Sequence, residues 1–285
     1  MTALADGVSP GWLALREAAD ARARSADLVA EILGSWPVRP LRPVRICDLG
    51  CGTGSTLRWL APRLPGPQHW RLLDRDPALL EEAALLEERT PVSAADGAPV
   101  VVETLLGDVT RLRHADLDDV ALVTASALLD VLTEQDVQHL AARCVRAGCP
   151  ALLTLTVTGR VRLHPGEAFD RAVQDAFNAH QRRGTGGRRL LGPDASAVAA
   201  GAFSRLGARV IVRDSPWRLG PAQPTLLREW LIGWVGAART HRPDLDPAAE
   251  AYLRRRLAQA ACGALEVNVH HQDLLARPAR DHSGG

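Results

Sequence analysis

Residues 45–56 read RICDLGCGTGST: a short β-type run from Val44 to Cys47 ends in Asp48, then Gly50, Gly52 and Gly54 fall at alternate positions ahead of a helical pattern, Leu57 to Leu60. Glycine has no Cβ, so such a chain can bend sharply and let a ligand press against main-chain N–H groups at a helix start. The order strand, turn, helix is that of a nucleotide-binding α/β sheet. About twenty residues past Gly54, a second run, His69 to Leu73, ends in Asp74 and Arg75, where a carboxylate at a strand tip can meet a ribose. A ligand-free acidic turn is the alternative for Asp74.

An acid followed by GxGxG resembles the first motif of the class I S-adenosylmethionine-dependent methyltransferases. The resemblance spans about Ser9 to Pro278 and is most specific between Arg45 and Asp130. A nicotinamide-binding fingerprint wants its third glycine one place later, where Ser55 stands. The resemblance therefore implies S-adenosyl-L-methionine as the cofactor. By matching position it puts Asp48 near the methionine part, Gly50, Gly52 and Gly54 beneath it, and Asp74 at the ribose hydroxyls; Cys51, inside the turn, and Arg75, next to Asp74, are further cofactor-binding candidates.

Two further stations fit the same pattern. Val100 to Leu106 is β-like and runs into Gly107-Asp108-Val109, which looks like the family's adenine-binding turn; a solvated turn aspartate is the other reading of Asp108. Asp118 to Asp130 looks like the fourth strand reaching its substrate-facing tip, with Ser126 and Asp130 flanking the transferred methyl group. Ser126 could equally cap the next helix, and Asp130 could lie in that helix's first turn, where negative charge is favoured.

The fold expected is α/β: one domain, 1–285, built on a doubly wound, mostly parallel seven-stranded sheet. Residues 1–43 form an N-terminal helical lid, 44–158 the cofactor-binding half, and 159–285 a substrate-side half with insertions at 159–205 and 217–263. The lid is a helical stretch from Pro10 to Leu33, ended by Gly34 and the proline-rich Pro37 to Pro43. In such methyltransferases a helix there folds over the cofactor, and Arg24 is the arginine favoured to pair with the methionine carboxylate, against a plain solvated helix face.

The fifth strand, Pro150 to Thr158, leads into the first insertion, which lies where ligands bind in open α/β sheets. It holds His164, a helix from Glu167 to His180, and the arginine- and glycine-rich Gln181 to Arg189, able to clamp a phosphate or carboxylate or else to stay a solvated loop. Ala208 to Val212 reads as the sixth strand and Ala264 to His271 as the seventh, antiparallel by the resemblance. Their long helical connection, Pro224 to Arg239 and Pro247 to Ala261, should roof the substrate cavity. Its Trp217, Trp230 and Trp234 could stack on a flat substrate or simply pack helices against the sheet.

A chain of 285 residues, 46% hydrophobic, can bury a large core, while a net charge of +1 supplies no field to steer nucleic acid or an anionic membrane. All 34 basic residues are arginine. The five cysteines make no zinc spacing, and adjacent His270 and His271 point to opposite sides of a strand, so no metal is expected. Unpaired thiols, no long apolar run and no basic leader followed by an apolar stretch suit a cytoplasmic protein. The expected partner is a small-molecule acceptor, without nucleic acid or membrane; the oligomeric state stays open, a homodimer included.

A sulfonium donates its methyl by in-line displacement, so alignment and exclusion of water are the protein's main task. A base is needed only for a protonated acceptor, and His164, His180 and Asp130 are the candidate catalytic residues. The expected activity is methyl transfer to oxygen or nitrogen of a small molecule. An RNA or protein methyltransferase and a non-catalytic S-adenosylmethionine-binding module are the alternatives.

Overall fold

The computed structural model describes residues 8–37, 42–185 and 188–279. Val38 to Leu41 of the proline-rich segment and Gly186-Gly187 of the arginine-rich loop lie outside them. The lid is two helices, α1 (Pro10–Ala23) and α2 (Ala26–Leu33), where periodicity suggested one. Arg24 and Ser25 break it with extended backbone, and Ser25 caps α2 by accepting from the Leu28 N–H.

The sheet begins with β1 (Val44–Leu49), followed by α3 (Ser55–Leu60), β2 (Gln68–Asp74), α4 (Pro77–Arg89), β3 (Val100–Leu106), β4 (Val120–Ser126), α5 (Glu134–Arg146) and β5 (Ala151–His164). The substrate-side half adds α6 (Asp170–Gln181), a small hairpin of β6 (Gly184–Thr185) and β7 (Arg188–Arg189), and α7 (Ala195–Arg205). Then come β8 (Arg209–Asp214), β9 (Trp217–Leu219), α8 (Pro224–His241), α9 (Ala248–Ala261) and β10 (Glu266–Arg277).

Strand order is β3-β2-β1-β4-β5-β10-β8, parallel throughout except β10, which runs antiparallel between β5 and β8. This is the expected doubly wound topology. The additional strand β9 pairs with the early part of β10, and so the sheet has eight strands. β5 also runs six residues past the expected end at Thr158, because the first half of β10 supplies it with a partner as far as His164.

Three apolar clusters organise the packing. One sheet face is covered by α5 and α7, with Val137, Leu140 and Phe203 against Val123 and Leu153. On the other, α2, α3 and α4 bring Leu28, Leu57 and Leu80 onto Ile46, Trp70 and Leu72. The third cluster belongs to the cap: α6, α8 and α9 pack around the outer parts of β5, β9 and β10, with Val173, Trp234 and Tyr252 buried among them.

That cap is pinned by a buried cation. Arg256 on α9 is fully enclosed, donates to Asp170 Oδ1 at 2.5 Å and to the Pro165 carbonyl at 2.7 Å, and lies 5.2 Å from the Tyr252 ring. The Tyr252 hydroxyl donates to the same Asp170 oxygen at 2.6 Å. Truncating one partner of such a pair strands the other charge in a dry environment. Arg256→Ala is therefore expected to destabilise the protein by about 3 kcal/mol, measured by urea unfolding, with Arg256→Met costing less because it refills the volume.

Candidate active site

All carboxyl ends of the parallel strands open on one edge, and the glycine turn occupies its centre. Gly50, Gly52 and Gly54 have φ of 60°, 55° and 82°, left-handed values that side chains rarely tolerate. Space is as restrictive as torsion there. A Cβ on Gly50 would stand 2.8 Å from Leu128 Cδ1, and one on Gly52 2.9 Å from Leu13 Cδ1 of α1. The lid thus lies over the turn, and it is held by Arg58 of α3, which donates to Glu17 at 2.7 Å.

Asp48, the penultimate residue of β1, is wholly buried. Thr124 of the neighbouring strand donates to its Oδ1 at 2.6 Å, while Oδ2 has no partner among the described residues. Burial pushes this carboxyl up to about 7, against the Thr124 hydrogen bond and the Arg24 charge, which favour ionisation. Asp74, at the tip of β2, accepts from the Gly52 N–H at 2.9 Å and from the Asp76 N–H at 3.0 Å. Its carboxylate therefore grips the glycine turn itself.

Arg24 enters from the lid break. It is 4% exposed, and its Nη2 donates to Ser55 Oγ at 2.9 Å and Ser126 Oγ at 3.1 Å, but Nε and Nη1 are buried without partners. Desolvation lowers its pKa, countered by the charges of Asp20 and Asp48. A buried guanidinium with two free donors and a buried carboxylate with a free oxygen lie at one glycine-lined edge. Unpaired groups of this kind are costly, and an α-amino acid offers the complementary pair of charges. The residues present fit the methionine end of S-adenosylmethionine.

After β3, Asp108 is half-buried, and its Oδ1 accepts from the Thr110 N–H and hydroxyl, both at 2.9 Å. Burial raises its pKa, yet these bonds, with Arg75 and Arg111, leave it below the usual carboxylate range. Arg75 is exposed, Val109 half-buried, and Cys51 buried with its thiol pushed up by burial. Ser126 lies at the β4 tip, engaged by Arg24.

The three candidate catalytic residues part company. Asp130 stays at the β4 edge: Gln181 Nε2 approaches it at 3.4 Å, and burial pushes its carboxyl up to about 6. His180 is buried on the last turn of α6, next to Gln181, and burial with the nearby Arg183 and His241 charges brings it down to about 4. His164 is exposed at the outer end of β5, ten residues past Thr154, the partner of Ser126. At ~3.3 Å per residue that is roughly 30 Å of extended strand, and the structure does not bring His164 to the glycine turn.

Other expected features find structural partners instead. Trp230 and Trp234 stack on each other with centroids 5.0 Å apart inside the cap core. The Trp217 indole donates to Asp20 Oδ1 at 2.9 Å, while Arg16 pairs with that carboxylate and lies 4.9 Å from the ring. In the arginine-rich loop, Arg182 forks onto Asp194, Arg188 meets Asp136, and Arg183 donates to the His180 carbonyl. His270 and His271 do face opposite sides: His270 meets Arg160 at 2.9 Å, whereas His271 is buried 5.3 Å from Trp217. Among the described residues no group of three or more His, Cys, Asp or Glu could hold a metal ion.

Sequence reasoning did not single out Thr124 as the partner of Asp48, nor Gln181 beside Asp130. A hydroxyl inside the apolar run Val120 to Ala125 was the available signal for Thr124; Gln181 had none.

Residues 46–150 match the family model described as a methyltransferase domain. No protein of curated function matches the chain. Among solved structures it is similar to a mycolic acid cyclopropane synthase complexed with SAH and CTAB, at 15% identity and TM-score 0.48, covering 88% of this chain and 83% of that one. A cyclopropane synthase from Mycobacterium tuberculosis gives 13% identity, TM-score 0.46 and the same coverage of 88% and 83%. A geranyl diphosphate methyltransferase in complex with SAM gives 14% identity and TM-score 0.44, covering 96% and 94%. The match takes in the glycine turn and the three following strands, β2, β3 and β4, and residues 46–150 are a methyltransferase domain of the S-adenosylmethionine-dependent kind.

Proposed function

We propose that this methyltransferase acts on an oxygen or nitrogen of a small molecule. The observation that carries the proposal is the cap: α6, α8 and α9 form their own apolar core beside the cofactor edge, and α1 closes over the glycine turn. Such an arrangement suits an enclosed acceptor better than a polymer lying across an open face. The arginine-rich loop supports the same choice. Arg182 and Arg188, two of its four arginines, are already engaged by Asp194 and Asp136, which reduces the charge it can offer a polyanion.

In this reading Arg24 takes the cofactor's carboxylate through Nε and Nη1, and Asp48 Oδ2 takes its ammonium. Asp74 serves the ribose, with Arg75 at its flank; Asp108 and Val109 serve the adenine; Gly50, Cys51, Gly52 and Gly54 form the floor. When bound, S-adenosylmethionine supplies an activated methyl for in-line displacement. The chain's contribution is to orient the acceptor and exclude water, worth ~7 kcal/mol or more. For a hydroxyl acceptor, Asp130 can take the proton once ionised, and Gln181 holds one of its oxygens. His180 is neutral at physiological pH and is the second candidate base, although its lowered pKa makes it a weak one. His164, from its position, would have to act at the outer rim of the cap.

Transfer of label from methyl-tritiated donor is expected into members of a panel of small phenols, carboxylic acids and amines, and not into bulk RNA or a denatured protein mixture. Label in either polymer would overturn the small-molecule reading; donor binding without any transfer would favour the non-catalytic module. With a hydroxyl acceptor, kcat/KM should rise with pH through about 6 as Asp130 ionises, and Asp130→Asn should flatten that limb and cost ~100-fold in kcat.

Asp48 gives a stability signature. Its folded carboxyl, raised from 3.8 to about 7, holds its proton more tightly than in the unfolded chain, so stability falls as pH rises through that window. At pH 8, Asp48→Asn should stabilise the unliganded protein by about 1–3 kcal/mol in urea unfolding while weakening S-adenosylhomocysteine binding.

A further inference from the structure

A second buried carboxylate lies behind the lid. Asp273 of β10 has no exposure and accepts from three remote segments: the Ser25 N–H at 2.8 Å, the Leu155 N–H at 2.7 Å and the Ser215 hydroxyl at 2.5 Å. A carboxylate this deep is tolerated only where donors replace its lost water, and these three do so.

Each donor comes from irregular backbone. Pairing between β5 and β10 jumps from Thr156 opposite Gln272 to Leu153 opposite Leu274, and Leu155 within that bulge has φ 55°. Its N–H falls out of the ladder, and Asp273 takes it up. Ser215 is the corner between β8 and β9. Ser25 is the residue directly after Arg24 at the break between α1 and α2. The bulge adjoins Thr154, whose strand partner is Ser126, the residue that Arg24 contacts.

Arg24 itself is tethered through a single nitrogen, Nη2. Its backbone, φ −56° and ψ 137°, is extended between two helices, so its direction depends on what holds the next peptide. We propose that Asp273 is the positioning residue for Arg24: by fixing the Ser25 N–H to the sheet, it presents the guanidinium, preorganised, to the carboxylate of the S-adenosyl cofactor. This rests on the assignment of Arg24 to that carboxylate. Asp273, fully buried with all its hydrogen bonds to protein donors, acts in this role through the peptide and through its negative charge near the guanidinium.

Calorimetry on the full chain tests this with two compounds, S-adenosylhomocysteine and 5′-methylthioadenosine, which shares the adenosine and sulfur but lacks the amino acid. Asp273→Asn keeps the shape and loses the charge. Ser25→Pro, compared with Ser25→Ala to cancel the lost hydroxyl, removes only the N–H, because Ser25 at φ −71° and the extended Arg24 before it already suit proline. Both variants should weaken S-adenosylhomocysteine about tenfold or more and leave 5′-methylthioadenosine within about twofold, and combining either with Arg24→Ala should add little. Should Asp273→Asn not fold, the proline variant carries the test alone. Equal loss for both compounds, loss for neither, or additive losses with Arg24→Ala would overturn the role of Asp273. Unchanged S-adenosylhomocysteine affinity in Arg24→Ala would instead overturn the Arg24 assignment.

Discussion

The rest of the site depends on left-handed backbone, strongly favouring glycine, in the turn leaving β1. Three left-handed residues in five positions fold that turn tightly enough for the Asp74 carboxylate to reach the Gly52 N–H and for α1 to lie directly on it through Leu13. Side chains at Gly50 or Gly52 would meet Leu128 or Leu13 before any ligand arrived. Strand tip, neighbouring acid and lid are therefore set by one short segment, and everything at the edge takes its position from it.

Electrostatics completes what the turn begins. Asp48 and Arg24 are both buried near the turn, each with polar atoms unpaired, and each has its pKa moved by desolvation toward its neutral form. Proteins rarely keep such groups without a use for them. Their opposite signs match the two ends of an amino acid. The charges of Arg16 and Arg256 are each paired with a carboxylate, Asp20 and Asp170, and hold the lid and the cap, although Arg256 Nε is also buried without a partner among the described residues.

Much of this was legible in the residues. The glycine turn, the acids at 48, 74 and 108, the strand order with its antiparallel strand, and the helical insertion all follow from local pattern and from resemblance, and Arg24 was favoured from the lid. Helical periodicity continues across the break at Arg24–Ser25, and the break is held by Ser25 capping α2 and by the Asp273 carboxylate of β10 accepting the Ser25 N–H. Local pattern does not carry the length of β5, whose extension exists because β10 pairs with it. That extension is what takes His164 away from the edge. The tryptophans and the loop arginines look available from sequence, but distant carboxylates claim Trp217, Arg182 and Arg188, and Trp230 and Trp234 stack on each other within the cap core.

The three apolar clusters bear on how such a protein can change over generations. The cap's core shares few side chains with the two that sandwich the sheet, and it is secured by its own buried Arg256 and Tyr252. Substitutions among α6, α8 and α9 can remodel the cap while the glycine turn and its acids keep their geometry. A lineage with this architecture can vary one part of the molecule without disturbing the strand tips beside it.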